Sequence, residues 1–186
     1  MTHRPSFNEK KATQAAARFL ILAKGKMNYM KLIKLLYLMD REALLRWARS
    51  VTNDEYYSMK FGPVLSEVHD LITEQPSPEQ PTFWSRHISD PTHYEIELTK
   101  EPGDDELSEA EEDLIQEIHS QYGRYAPFDL VKLLHQVLPE WKEVQHSRVQ
   151  ILYSEILAAG KKTPEEIAAI ESELDSVARI QCFASR

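Results

Sequence analysis

The sequence predicts a mainly α-helical fold, a single compact domain of about six to seven helices with a small antiparallel β-hairpin. Three observations carry that prediction. Apolar residues recur at helical spacing in successive segments, most of them opened by a capping residue or a proline. One segment, Lys31 to Leu45, is apolar nearly all round, as a helix inside a bundle must be. Clear period-two alternation is confined to one short stretch near the middle of the chain, Tyr94 to Thr99. At 186 residues, 42% apolar and 28% charged, the whole chain 1–186 suits one soluble domain with a substantial core.

Ser6 and Glu9 have the spacing of a capping box and open the first helix. Its apolar positions Ala12, Ala15, Ala16, Phe19, Leu20 and Ala23 follow helical spacing, and Gly25 ends it just after Lys24. Residues 25–29 then turn into the central helix, KLIKLLYLMDREALL, which frays near Ser50. Leu32, Leu35, Leu36, Met39 and Ala43 form one of its faces, Ile33, Tyr37 and Leu44 a second, Leu38 and Leu45 a third. Lys31, Lys34, Arg41 and Glu42 fill a narrow polar stripe. Asp40 falls outside that stripe, so it is expected to be partly buried and paired, because an unpaired buried carboxylate is costly. A helix with apolar residues on so many sides has no free face for a DNA groove, which argues against a helix-turn-helix here.

Val51 to Phe61 reads as extended or irregular, with Asn53-Asp54 as turn formers. Gly62-Pro63 is expected to start the next helix, with Pro63 at its first position and Val64, Val68, Leu71 and Ile72 inward. Pro76, Pro78 and Pro81 make Gln75–Pro81 a stiff loop. Trp84 to Ile88 and Tyr94 to Thr99 are expected to pair as the hairpin, with Tyr94, Ile96 and Leu98 on its buried side.

Ser108 and Glu111 cap a helix over about 108–122, whose inner face is Leu114, Ile118 and Tyr122. The acidic residues at its start suit the positive end of the helix dipole and lack the spacing and glycine of a calcium loop. Pro127 opens a helix through about Val137, with Leu130, Val131, Leu133 and Leu134 buried. Pro139 closes it, and Trp141 folds back onto the core. A helix from Ser147 to Ala159 ends at Gly160, and Thr163-Pro164-Glu165-Glu166 starts a last amphipathic helix over 163–180.

Three blocks of this chain resemble a known family. Lys31 to Leu38, KLIKLLYL, is followed by a polar loop and by Gly62-Pro63-Val64-Leu65; Tyr122-Gly123 and Leu130 through His135 come next; then Pro139-Glu140-Trp141. In that order they resemble the Panacea domain, the SocA-like antitoxin family, over about 8–157. The resemblance makes Leu32, Leu35, Tyr37, Asp40, Gly62, Pro63, His135 and Trp141 structural motif positions. It implies an antitoxin that neutralises a cognate protein toxin by direct binding, and in some members an adaptor that delivers the toxin to a protease. The residues themselves point to no cofactor and no enzymatic activity.

The residues themselves show no reaction centre. Seven histidines are scattered: His3, His69, His87, His93, His119, His135 and His146; none forms a zinc-binding spacing with a second ligand. No nucleophile elbow, phosphate-binding glycine loop or dinucleotide fingerprint is present. The lone Cys182 makes no internal disulfide, which suits a reducing cytoplasm. No run is long and apolar enough to span a bilayer, and the N-terminus lacks an apolar leader core.

What remains is a binding surface. Tyr56, Tyr57 and Lys60 before Gly62-Pro63, Trp84 on the hairpin, and Lys31 and Lys34 on the central helix are the candidate partner-binding residues, of types common in protein–protein hot spots or able to cover apolar surface with their stems. Phe61 and Trp141 read as core. Residues 1–60 hold 12 Lys/Arg against 5 Asp/Glu, whereas 61–186 hold 10 against 25, for a net charge of −8. That asymmetry supports a second reading, a regulator whose basic end binds nucleic acid. A phage or mobile-element protein acting on a host protein is the third.

Overall fold

A computed structural model describes residues 4–74, 79–145 and 147–184. Pro76 and Pro78 of the expected stiff loop, with His3 and His146, lie outside the described residues. Among the described residues the order is α1 (Glu9–Leu22), β1 (Lys26–Asn28), α2 (Tyr29–Trp47), β2 (Tyr56–Met59), β3 (Gly62–Leu65), α3 (Ser66–Thr73), a 3-10 turn (Trp84–Arg86) and β4 (Glu95–Glu97). Then follow α4 (Glu109–Tyr122), α5 (Pro127–Val137), β5 (Val149–Ile151), α6 (Tyr153–Ala159) and α7 (Pro164–Ala184). No helix among them is long and apolar enough to cross a membrane.

The mainly helical class holds, and α2 is its axis. It packs against α1, α3, α4, α5 and α6 and against β1 and β3. Leu32, Leu35, Leu36, Met39, Ala43 and Leu44 are fully buried from its several faces. Asn28 caps its first turn by accepting from the backbone N–H of Met30 and Lys31. The caps of α4 and α7 form as their sequences dictate: Ser108 and Glu111 bond reciprocally, as do Thr163 and Glu166. At α1 the cap is Asn8, which accepts from Lys11 N–H, rather than Ser6; Glu9 instead accepts from the backbone N–H of Trp84.

The β-structure differs from a single hairpin. Among the described residues five strands form two antiparallel sheets, β1-β4 and β3-β2-β5. Ile96 of β4 pairs with Met27 of β1, while Trp84–Arg86 is a helical turn, so the expected partner of Tyr94–Thr99 survives only as an isolated bridge between Ile88 and Leu98. Ile96 is buried as the alternation requires, but Tyr94 is exposed. Gly62-Pro63 opens strand β3, not a helix. Met59 pairs with Gly62 across Lys60-Phe61, neither of which has positive φ, and Gly62 closes the turn at the positive φ of 96° that favours glycine. β3 is an edge strand, where a proline lacking its N–H is tolerated. The α3 helix starts three residues later, and Asp54 caps it from a distance by accepting from Glu67 and Val68 N–H. Residues 149–151, expected as helix, add a third strand beside β2.

Candidate functional site

The β2–β3 turn folds back over the first turns of α2, and the two together make a site. Tyr29, Met30, Ile33 and Lys34 form one wall, Met59 to Gly62 and Val64 the other, and His69 of α3 closes an end. The cavity between them is about 250 Å³. That is less than a cofactor or drug-sized ligand occupies. It fits one side chain.

Lys34 forms the floor. Its place on the polar stripe of α2 led to the expectation of a solvated head, but the hairpin closes over it and leaves it 1% exposed. Its Nζ donates to the carbonyl of Pro63 at 2.6 Å. Among the described residues no carboxylate lies within ion-pair distance of it. Burial alone therefore pulls this amine down to about 7 from 10.5. Gly62 is required by this approach. A Cβ there would stand 3.2 Å from Lys34 Cε and 3.6 Å from His135 Nε2, at a φ that side chains avoid.

His135 and Trp141 brace the same corner. The imidazole lies flat on the indole, centroids 3.7 Å apart, and the Trp141 Nε1–H donates to Met59 O at 3.2 Å. Both rings therefore hold the hairpin. His135 Nε2 is buried without a hydrogen-bond partner. Burial, then the neighbouring Lys34 charge, lowers its pKa and favours the neutral ring.

Outside the cavity the apolar surface continues in both directions. Phe61, read as core, is 47% exposed and meets Phe128, 59% exposed, edge to face at 6.0 Å. On the other side the half-buried Tyr29 ring lies 6.3 Å from the exposed ring of Tyr94. Lys60 reaches over the Phe61 ring at 5.5 Å. The result is an aromatic band, Tyr94–Tyr29–cavity–Phe61–Phe128, of the kind that monomer surfaces keep for a partner.

The candidate residues thus separate. Lys60 and Lys34 belong to the site, on its rim and floor. Tyr57 is half-buried beside it in sequence but faces elsewhere, its hydroxyl donating to Glu55 and its ring under Arg148. Lys31 is half-buried, and its Nζ donates to the Gly123 carbonyl. Tyr56 and Trp84 are corrections: at 0% and 2% exposure they offer no surface, since Tyr56 stacks on Tyr153 and Trp84 fills the core beside α1. Phe61, read as core, and Phe128, left unassigned, carry the exposed face. The signal available was the two-residue turn around Phe61, where a side chain has no layer above it.

Behind the site lies the network that sets β2. Asp40, expected to be partly buried and paired, is fully buried and partnered by neutral donors: it accepts from Val51 N–H at 2.9 Å, Thr52 N–H at 3.1 Å, the Thr52 hydroxyl and the Tyr56 hydroxyl at 3.0 Å. Burial pushes it up to about 6 against the pull of these donors. Glu140, between Pro139 and Trp141, accepts from Tyr37 OH at 2.9 Å and from Arg41 Nε at 2.6 Å. These bonds tie the segment after α5 to α2.

The charge asymmetry is partly paired inside the fold. Lys10 pairs with Asp105, Lys11 with Glu111, Arg18 with Glu112, Lys26 with Glu95, Arg41 with Glu140 and Arg46 with Glu117. Six of the twelve basic residues of the first segment thus face acidic residues of the second, while Lys24, Arg49 and Lys60 stay exposed with no ion pair among the described residues. Among the described residues no group of three His, Cys, Asp or Glu side chains is placed to hold a metal ion.

Residues 32–142 match the family described as antitoxin SocA-like, Panacea domain. The match opens inside α2 and closes just after Trp141, so it includes Lys34, the β2–β3 hairpin, Phe128 and His135. No curated protein and no solved structure matches the chain.

Proposed function

This chain belongs to the SocA-like antitoxin family of the Panacea domain, and from that premise we propose that it neutralises a cognate protein toxin by direct binding through the aromatic band around the β2–β3 turn. The observation that supports this surface is the Phe61–Phe128 pair, two large exposed rings in edge-to-face contact beside an apolar cavity. Neither ring is needed to fill the core, and burying both would release ordered water and supply anchors of the type that dominate interfaces. Neutralisation is then occlusion of the toxin's working surface, carried out without catalysis, in the cytoplasm, by a single domain. Delivery of the bound toxin to a protease is a further step that the same docking would permit.

The test is growth of cells expressing the adjacent reading frame, alone and together with this chain. Toxicity of the neighbour alone, rescue on co-expression, and co-purification of the two are expected. Rescue without a complex, or a harmless neighbour, overturns direct neutralisation. The nucleic-acid reading keeps only the unpaired half of the basic segment, and a binding isotherm with no steep salt dependence counts against it.

A further inference from the structure

Lys34 is a cation without an anion. It sits at the floor of an apolar cavity, almost wholly removed from water, with one carbonyl as its hydrogen-bond partner. An ammonium has three donors, and burying it with one acceptor leaves most of its lost hydration uncompensated. The lining of the cavity contains no Asp or Glu, in a chain with a net charge of −8. Its other titratable groups are the Tyr29 phenol in one wall, Lys60 on the rim and His69 at one end, which faces Asp70 at 3.4 Å, while His135 approaches from α5. The cavity therefore presents positive charge inside apolar walls.

We propose that this cavity takes the carboxylate of an acidic side chain, Asp or Glu, presented by the protein partner, with a flanking apolar residue of the same segment covering Phe61 and Phe128. Three observations select this occupant. A carboxylate supplies the charge-assisted acceptor that Lys34 lacks. The volume of about 250 Å³ accepts one side chain. The exposed rings continue outward from the mouth, so a segment that enters the cavity also covers them, whereas a free small carboxylate leaves them in water. A phosphate is a poorer match, since Lys34 is the one buried cation in the lining, and Pro63, which it touches, has no N–H to offer. This inference rests on the docking role of the same band, but its test uses no toxin.

Random peptides displayed on phage and selected on the full chain are expected to share one Asp or Glu next to an aromatic or aliphatic residue. Changing that acid to its amide is expected to weaken binding about tenfold. The same change is expected to have no effect against Lys34→Met. Binders without a shared acid, an amide change without effect, an equal loss in the Lys34→Met protein, or a selection that yields no binder each overturn the proposal. A loss caused instead by amidating the peptide's C-terminus assigns the cavity to a chain end and also overturns it. Should Lys34→Met fail to fold, the unaltered chain decides: the NMR signals of the Lys34 ε-methylene shift with the acidic peptide and stay in place with its amide. Failed growth rescue with intact acid selectivity sinks the toxin reading alone; the reverse result sinks the carboxylate site alone.

Discussion

Trp141 lies 7° from parallel with His135, and its indole N–H donates to Met59, so one side chain joins the end of α5 to the turn of the β2–β3 hairpin. Trp141→Ala removes both contacts and leaves a half-buried hole under the hairpin. A loss of about 2 kcal/mol is expected from the stacking, the hydrogen bond and the lost packing together. Urea unfolding at constant slope measures it. A midpoint unchanged from the parent would mean that the hairpin is held by its strand bonds alone.

Three buried groups give an unusual dependence of stability on pH. Burial raises Asp40 to about 6 and Asp54 to about 7 from 3.8. Folded carboxyls with raised pKa values bind protons that the unfolded chain has released, so their contribution is complete below the unfolded value and is lost as pH rises through 6 to 7. Lys34 has the opposite sign. Lowered from 10.5 to about 7, it contributes stability above the unfolded value and loses it as pH falls through 7. The three together place a minimum near neutrality. Melting temperatures at about pH 5 and about pH 9 should both exceed that at about pH 7. A profile with its maximum at neutrality would contradict the assignment.

Lys34→Met should stabilise the protein near neutral pH. It exchanges a buried charge for an apolar chain of similar length, a change worth about 1–4 kcal/mol in favour of the folded state elsewhere, less the bond to Pro63. The gain should shrink toward alkaline pH, where the unfolded lysine also loses its charge. Thermal melts of both proteins across that range check it. A destabilised variant would mean that the ammonium is better compensated inside than its single carbonyl suggests.

Asp40→Asn should cost about 2–4 kcal/mol. The carboxylate accepts from four donors, and an amide turns two of its sites into donors that face Thr52, Tyr56 or the backbone N–H groups. Denaturant unfolding gives the magnitude. A loss of under about half a kilocalorie would show that the loop after α2 adapts by moving away.

Phe61→Ala combined with Phe128→Ala should leave the melting temperature within a few degrees and weaken the toxin complex by at least about tenfold. Tyr56→Ala, by contrast, should unfold or strongly destabilise the chain, because its ring is stacked against Tyr153 in the core. An intact toxin complex with both phenylalanines removed would take the aromatic band out of the interface.

These variants also show what the amino-acid order makes legible. The centrality of α2 is readable because Leu32 to Leu45 cannot hide on one side of a helix, and the burial of Asp40 follows from its position among leucines. The caps at Ser108 and Thr163 are local chemistry and form as written. The strands are not readable in that way. β1, β2, β3 and β5 are three or four residues long, too short for alternation to separate from a turn. Gly62-Pro63 fits a helix start and a hairpin equally well until the pairing with β2 decides. Lys34 looks solvated on a helical wheel, and it is buried by a hairpin whose Pro63 carbonyl, 29 residues away, accepts from it. Tyr56, Phe61 and Trp84 carry similar side chains, but the layers above them differ, and those layers come from distant segments.

The pairing of an early basic segment with a late acidic one has a consequence for synthesis. When the first sixty residues have left the ribosome, their twelve cations face five anions, and neither α4 nor Glu140 yet exists to neutralise them. The nascent chain is then a cationic, leucine-rich polymer beside polyanionic ribosomal RNA. Its axial helix has apolar sides waiting for α4, α5 and α6, all still untranslated. The packing around the axial helix therefore has to wait until α4, α5 and α6 have been made.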